Sequence, residues 1–178
     1  MKNKTLKFNL IMVLVSLLSV VLDQFTKWLA VTYVKPVGTI SVIKFGETEW
    51  VNFTYCENTG MSFSLLEGQR FILIALPILL IAIVEYLIFC GKIESKAMKI
   101  ALAFLAGGGL GNLIDRIFLG YVVDFIDFRI INFAIFNFAD ICAVLGGFAF
   151  AIMMVIDETR AEKNKKDEEN KAAEDGNS

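Results

Sequence analysis

Apolar residues run along this chain in four long blocks instead of alternating with polar ones, over residues 8–34, 71–90, 100–119 and 137–156. Each block holds about 20 residues or more, the length that a helix rising about 1.5 Å per residue needs to cross a hydrocarbon layer about 30 Å thick. The pattern predicts four membrane-crossing helices. Pro77 falls inside the second block, where a membrane helix tolerates it with a kink. Between the first two blocks the rhythm changes. ISVIKF and WVNFTYC alternate, are rich in β-branched and aromatic residues and end near Gly-bearing turns. They predict a small strand pair at the membrane surface, within an outer segment of about residues 35–69.

Composition agrees with a membrane protein: 56% of the 178 residues are hydrophobic and mean hydropathy is +0.63. Of the 36 charged residues (17 basic, 19 acidic), 13 lie between Asp157 and Ser178, so the rest is greasier than the average suggests. We expect a membrane domain over residues 1–157 and a solvated, partly helical or disordered charged tail over 158–178. No basic block lies within the body, which argues against nucleic-acid binding. Lys2, Lys4 and Lys7 before the first block resemble the start of a secretory signal peptide. No convincing small-x-small cleavage site follows, so a retained helix is expected. Lysine and arginine gather at the N-terminus, between the second and third blocks (Lys92, Lys96, Lys99) and at the start of the tail (Arg160, Lys163, Lys165, Lys166). Both termini should therefore face the cytoplasm.

This topology assigns depth to the polar residues. Asp23 lies about 22 Å along the first helix, with Lys27 one turn further out and Asp115 of the third helix near the same level. Asp140 lies about 5 Å inside the outer end of the fourth helix, and Asp124 sits in the connection that feeds it. Four segments thus deliver acids to one boundary, the outer one. Gly108, Asn112 and Arg116 recur at i, i+4 and i+8 on one face of the third helix. Taken singly, most of these residues have structural explanations. Gly107 and Gly111 form a GxxxG packing motif, Asp23 and Lys27 a helix pair, Asn137 and Asp140 a helix cap, and Asp115 and Arg116 an ion pair. Asp127 and Arg129 read as solvated loop charges, and Glu85 as a snorkelling one.

The excess of acids over bases is what those explanations leave over. With no histidine and three cysteines that form no CxxC pair, Ser-His-Asp and Cys-His catalysis are excluded and a zinc site is unexpected. Two facing carboxylates share one proton and can act as an acid–base pair on water and a carbonyl. Asp124 with Asp140 is the best-placed pair, and Asp124 with Asp127 the alternative. A proton-coupled transporter would need polar groups in the inner halves of the helices, which read as almost entirely apolar. A scaffold using the GxxxG face, or a Ser-Lys peptidase using Lys27 with Ser16 or Ser19, are the other readings.

The chain resembles bacterial lipoprotein signal peptidase (signal peptidase II). The resemblance rests on DQFTK at 23–27, NTGMSF at 58–63, GGLGNLIDR at 108–116, VVDF at 122–125 and FNFAD at 136–140. It implies an all-α membrane fold of four transmembrane helices with a small extracytoplasmic β-element and a short surface helix, here within residues 125–136. It implies an intramembrane aspartic endopeptidase that cuts diacylglyceryl-modified prolipoproteins before the lipidated cysteine, with Asp124 and Asp140 as catalytic dyad. Asn112 and Arg116 would hold substrate backbone or support the site, on the face that Gly108 shares. Asn137 would orient the dyad, and Asn58 and Gly60 would border the substrate groove. Asp23, Lys27 and Asp115 would form a structural polar cluster. The family setting implies a bacterial plasma membrane, lipid and prolipoprotein partners, a functional monomer, no cofactor or metal, and sensitivity to globomycin.

Overall fold

The computed structural model of the chain describes residues 2–60, 68–131 and 133–175. Met61, Ser62 and Phe63 of the NTGMSF motif lie outside the described residues. Helix α1 (Lys2–Leu29) continues through a π-helical turn (Ala30–Val34) into strands β1 (Thr39–Phe45) and β2 (Thr48–Asn58). Helices α2 (Arg70–Phe89) and α3 (Lys96–Phe118) follow, then strand β3 (Val122–Phe128), a 3-10 turn (Arg129–Ile131) and α4 (Phe138–Asp175).

Among the described residues, four helices are long and apolar enough to cross a membrane: Thr5–Val34, Arg70–Phe89, Lys96–Phe118 and Phe138–Glu168. Their outer surfaces expose Leu14, Val21, Phe71, Leu145 and Phe148, as lipid-facing helices do. Helix α3 is the axis of the bundle, packed against the other three. Its span is 56% buried, while the others are 17–22% buried.

Small residues explain why α3 can be central. A side chain at Gly107 would come within 2.8 Å of the Ser16 carbonyl on α1, and one at Gly108 would overlap the Ala139 carbonyl on α4. Gly146 of α4 approaches the Ala101 carbonyl in the same way. Helices in lipid gain by such close packing because no hydrophobic driving force separates them from the solvent. The GxxxG pair Gly107 and Gly111 does face α1, meeting Ser16 and Asp23.

The β-element has three strands, not two. It is antiparallel in the order β1-β2-β3, and Ile126 makes a further bridge to Phe136. VVDFIDF therefore pairs as a strand, buried over its first four residues, and the short helix expected within 125–136 is confined to the single turn Arg129–Ile131. One sheet face carries Phe53, Tyr55, Val123 and Phe125 onto Ala30 and Val34 at the end of α1. This packing fixes the sheet against the helix ends. Asn52 of β2 is fully buried, and its side-chain amide donates to Glu49.

At the end of the bundle away from the sheet, the helices are less apolar than the sequence suggests. Lys99, counted above as a connection charge, lies within α3, is buried, and donates to Asn9 Oδ1 at 2.8 Å. Asn9 in turn donates to the Ile88 carbonyl, so three helices meet at one polar knot. Helix α4 continues without a break to Asp175, so the charged tail is helical over most of its length.

Candidate active site

At the sheet end of the bundle, Lys27 is buried with all three ammonium protons assigned. It lies 2.9 Å from Asp23 Oδ2, 2.9 Å from Asp115 Oδ2 and 2.8 Å from Asn112 Oδ1. The Asp23–Lys27 pair is the i, i+4 pair that the sequence shows. Asp115 does not pair with Arg116, its neighbour in sequence. Adjacent helical residues point about 100° apart, so Asp115 faces α1 while Arg116 turns to the loop after β2 and donates to the Gly60 carbonyl at 2.8 Å. Gln24 joins the cluster, donating to Asp115 Oδ1 at 2.9 Å and to the Gly111 carbonyl at 3.2 Å. Nothing in the spacing singled out Gln24, although it lies inside DQFTK.

Two carboxylate oxygens of this cluster also reach backbone amides. Asp115 Oδ2 accepts from the N–H of Val123 at 3.1 Å, and Asp23 Oδ1 accepts from the N–H of Ala139 at 2.9 Å. Those residues immediately precede Asp124 and Asp140. Each buried acid therefore grips the chain one residue before one of the two aspartates that the sequence singles out.

Asp124 stands in the middle of β3, almost fully buried, and Asp140 in the first turn of α4. Asn137 joins them. Its side-chain N–H donates to Asp124 Oδ1 at 2.6 Å, and its backbone N–H donates to Asp140 Oδ2 at 3.0 Å. Its side-chain oxygen accepts from the Asp140 N–H at 3.0 Å, so Asn137 and Asp140 form a reciprocal helix cap as well. Asn112 completes the link, donating to Asp140 Oδ1 at 2.7 Å while its own oxygen accepts from Lys27 and Asn137. On the far side of Asp124, Asn58 donates to Oδ2 at 2.9 Å and closes a turn by accepting from the Gly60 N–H at 3.0 Å. Burial, opposed by the Asn58 hydrogen bond and reinforced by the Asp140 charge, pushes the Asp124 carboxyl up to about 6.

Both aspartates line a cavity of about 670 Å³, together with Asn58, Gly108, Asn112 and Arg116. The i, i+4, i+8 face of α3 thus looks into it. Cys56, the cross-strand partner of Asp124, also lines it and was not anticipated, because strand register is not written in local spacing. Asp127 takes a different course. Its Oδ2 receives Thr54 Oγ at 2.8 Å and Arg129 Nε at 2.7 Å, so it is a buried partner of the sheet and not a loop charge. Ser16 and Ser19 donate to backbone carbonyls of Met12, Ala103 and Val15, which leaves the Ser-Lys arrangement without its hydrogen bond to Lys27.

The fold and sequence are shared with known proteins. A relative from Caldanaerobacter subterraneus, named lipoprotein signal peptidase, is 39% identical over 137 residues, which is 76% of this chain and 90% of the relative. Another of the same name from Enterococcus faecalis is 34% identical over 157 residues, covering 85% and 92%. A solved structure described as a bacterial membrane enzyme, determined in meso, superposes with a TM-score of 0.72 at 29% identity, covering 84% of this chain and 90% of that one. With its four spans, the chain is a multi-pass membrane protein. The family description "Signal peptidase (SPase) II" matches residues 15–156. The chain belongs to the signal peptidase II family.

Proposed function

We propose that this protein is a membrane-embedded aspartic endopeptidase that removes signal peptides from diacylglyceryl-modified prolipoproteins, cutting just before the lipidated cysteine. The observation that carries the reading is the junction at Asn137, which binds Asp124 and Asp140 at the wall of one cavity. The relatives' name, lipoprotein signal peptidase, supplies the substrate class.

The two carboxyls differ in ways that support different roles. Asp140 sits at the amino end of a long helix, where the macrodipole favours an anion. Its oxygens accept from Asn112 and the Asn137 amide, and Asn112 is itself held by the Lys27 cation. Asp124 lies on a strand, desolvated, with its carboxyl pushed up to about 6 by burial. In our reading Asp140 is the base and Asp124 holds the shared proton. Asp140 takes a proton from a water, whose oxygen bonds to the scissile carbonyl carbon as Asp124 gives its proton to the carbonyl oxygen. Collapse of that diol breaks the C–N bond, the proton held by Asp140 passes to the leaving nitrogen, and Asp124 recovers its own. Arg116 and the Asn58–Gly60 turn border the path of the substrate backbone.

A diacylated cysteine keeps its chains in the bilayer, so hydrolysis must occur where lipid meets water. The lysine-rich inner connections and the dyad at the sheet end support both termini in the cytoplasm and a site near the outer face of a bacterial plasma membrane. The family match ends at residue 156, which supports a peptidase unit over 1–157 with 158–178 outside it. The test is cleavage of a lipid-modified precursor by purified protein in detergent. Asp124→Asn and Asp140→Asn should each abolish turnover with helix content unchanged. Retained turnover in either variant refutes the dyad.

A further inference from the structure

A second cavity of about 290 Å³ opens beside the first, between α2 and α3. Its walls include Leu73, Leu76, Leu80, Ile81, Leu105 and Gly109, and Arg116 is the one polar residue among those that line it. Pro77, Gly109, Arg116 and Ala143 border both cavities, so the apolar slot adjoins the chamber of the two aspartates. Helix α2 leans on α3 and only lightly on α1, which leaves the space open. Gly109 forms part of its floor without filling it, since a Cβ there would meet only the Ile81 side chain, at 3.4 Å.

Among the described residues that line it, Arg116 alone offers polar atoms, too few partners for the N–H and C=O groups of an extended peptide. A single acyl chain needs no hydrogen-bond partner along its length and suits such an apolar passage. At the junction, Arg116 Nη2 is committed to the Gly60 carbonyl, while its Nε is buried with no acceptor among the described residues. A buried donor without a partner is costly, and an ester carbonyl at the mouth of the slot would satisfy it.

Building on the function proposed above, we infer that the α2–α3 slot receives one acyl chain of the substrate's diacylglyceryl group, with an ester carbonyl on Arg116. The chain already lies in lipid, so the slot adds little transfer free energy. What it adds is close packing and orientation. A chain held there fixes the glyceryl group, and through the thioether the cysteine, beside the dyad.

The experiment uses the full-length protein in detergent and one precursor peptide carrying either palmitoyl or butanoyl chains on its diacylglyceryl cysteine. Leu105→Trp fills the slot from α3 and Ile81→Trp fills it from α2, and neither residue lines the chamber of the two aspartates. We expect each folded variant to lower the palmitoyl-to-butanoyl ratio of kcat/KM about tenfold while the butanoyl rate stays within about twofold of the unsubstituted protein. An unchanged ratio in a folded variant overturns the assignment, as does equal loss on both substrates, which would give the slot to the peptide. If the unsubstituted protein cleaves neither precursor, the peptidase reading itself falls, an outcome distinct from a chain-length effect that fails to appear.

Discussion

The division of labour between the two aspartates can be tested by removing a neighbour instead of the acids. Asn58 donates to Asp124 Oδ2 at 2.9 Å, and that bond favours the charged carboxylate. Asn58→Ala deletes the donor. A hydrogen bond to a charged group contributes about 1.5–3 kcal/mol, and one pH unit corresponds to about 1.36 kcal/mol, so the Asp124 titration should rise by about one to two units. Asn58 faces an open cavity from which water can partly replace it, so the lower figure applies, taking the carboxyl from about 6 to about 7. If Asp124 must carry the shared proton, its loss sets the basic limb of kcat/KM, a value that belongs to the pair. That limb should move to higher pH in Asn58→Ala. The assay is kcat/KM on a lipidated precursor from about pH 5 to about pH 9. A uniform fall in rate with the basic limb fixed, or a limb displaced to lower pH, would show that Asp124 is not the proton donor.

Two further outcomes follow from the same bonds. Lys27→Met leaves Asp23 and Asp115 buried without their cation, and breaking a buried pair in this way costs about 3–5 kcal/mol, readable as a lowered midpoint in detergent-based unfolding. Asp124→Asn should act in the opposite sense at neutral pH. The folded carboxyl binds its proton more tightly than the unfolded one (about 6 against 3.8), so native stability falls as pH rises through that interval, by about 3 kcal/mol for this group. The Tm of Asp124→Asn relative to the unsubstituted protein should therefore be higher at pH 8 than at pH 4, and a difference that does not vary with pH refutes the linkage.

The helices were legible because membrane spans are written in local composition, and α-helical periodicity was enough to place Gly108, Asn112 and Arg116 on one face. What stayed hidden depends on contacts between elements. The third strand was obscured because VVDFIDF reads equally as a motif and as the approach to a short helix, and only its pairing with β2 decides. The Asn58–Asp124 bond depends on a β2–β3 register that shifts between Phe53 and Cys56, and sequence does not give that register. The burial of Lys99 beside Asn9 depends on how α1 and α3 cross. Arg116 was paired with Asp115 by adjacency alone, an inference that helical geometry forbids.

The surplus of acids at this end of the bundle resolves into two kinds of work. Asp23 and Asp115 are neutralised in part by Lys27 and also accept from the amides of Ala139 and Val123. They act on main chain, one residue ahead of Asp140 and Asp124. Those two therefore have their backbones anchored from a single cation on α1, although one belongs to a helix and the other to a strand. Such anchoring matters in a membrane, where no water inside the hydrocarbon can substitute for a lost hydrogen bond. It also explains why Asn112 is an amide. Its oxygen must accept from Lys27 while its N–H donates to Asp140, and neither a carboxylate nor an ammonium can do both. The buried ion cluster and the aspartate pair are thus one connected network, in which the inner half holds the outer half at a separation that hydrophobic packing alone would not define.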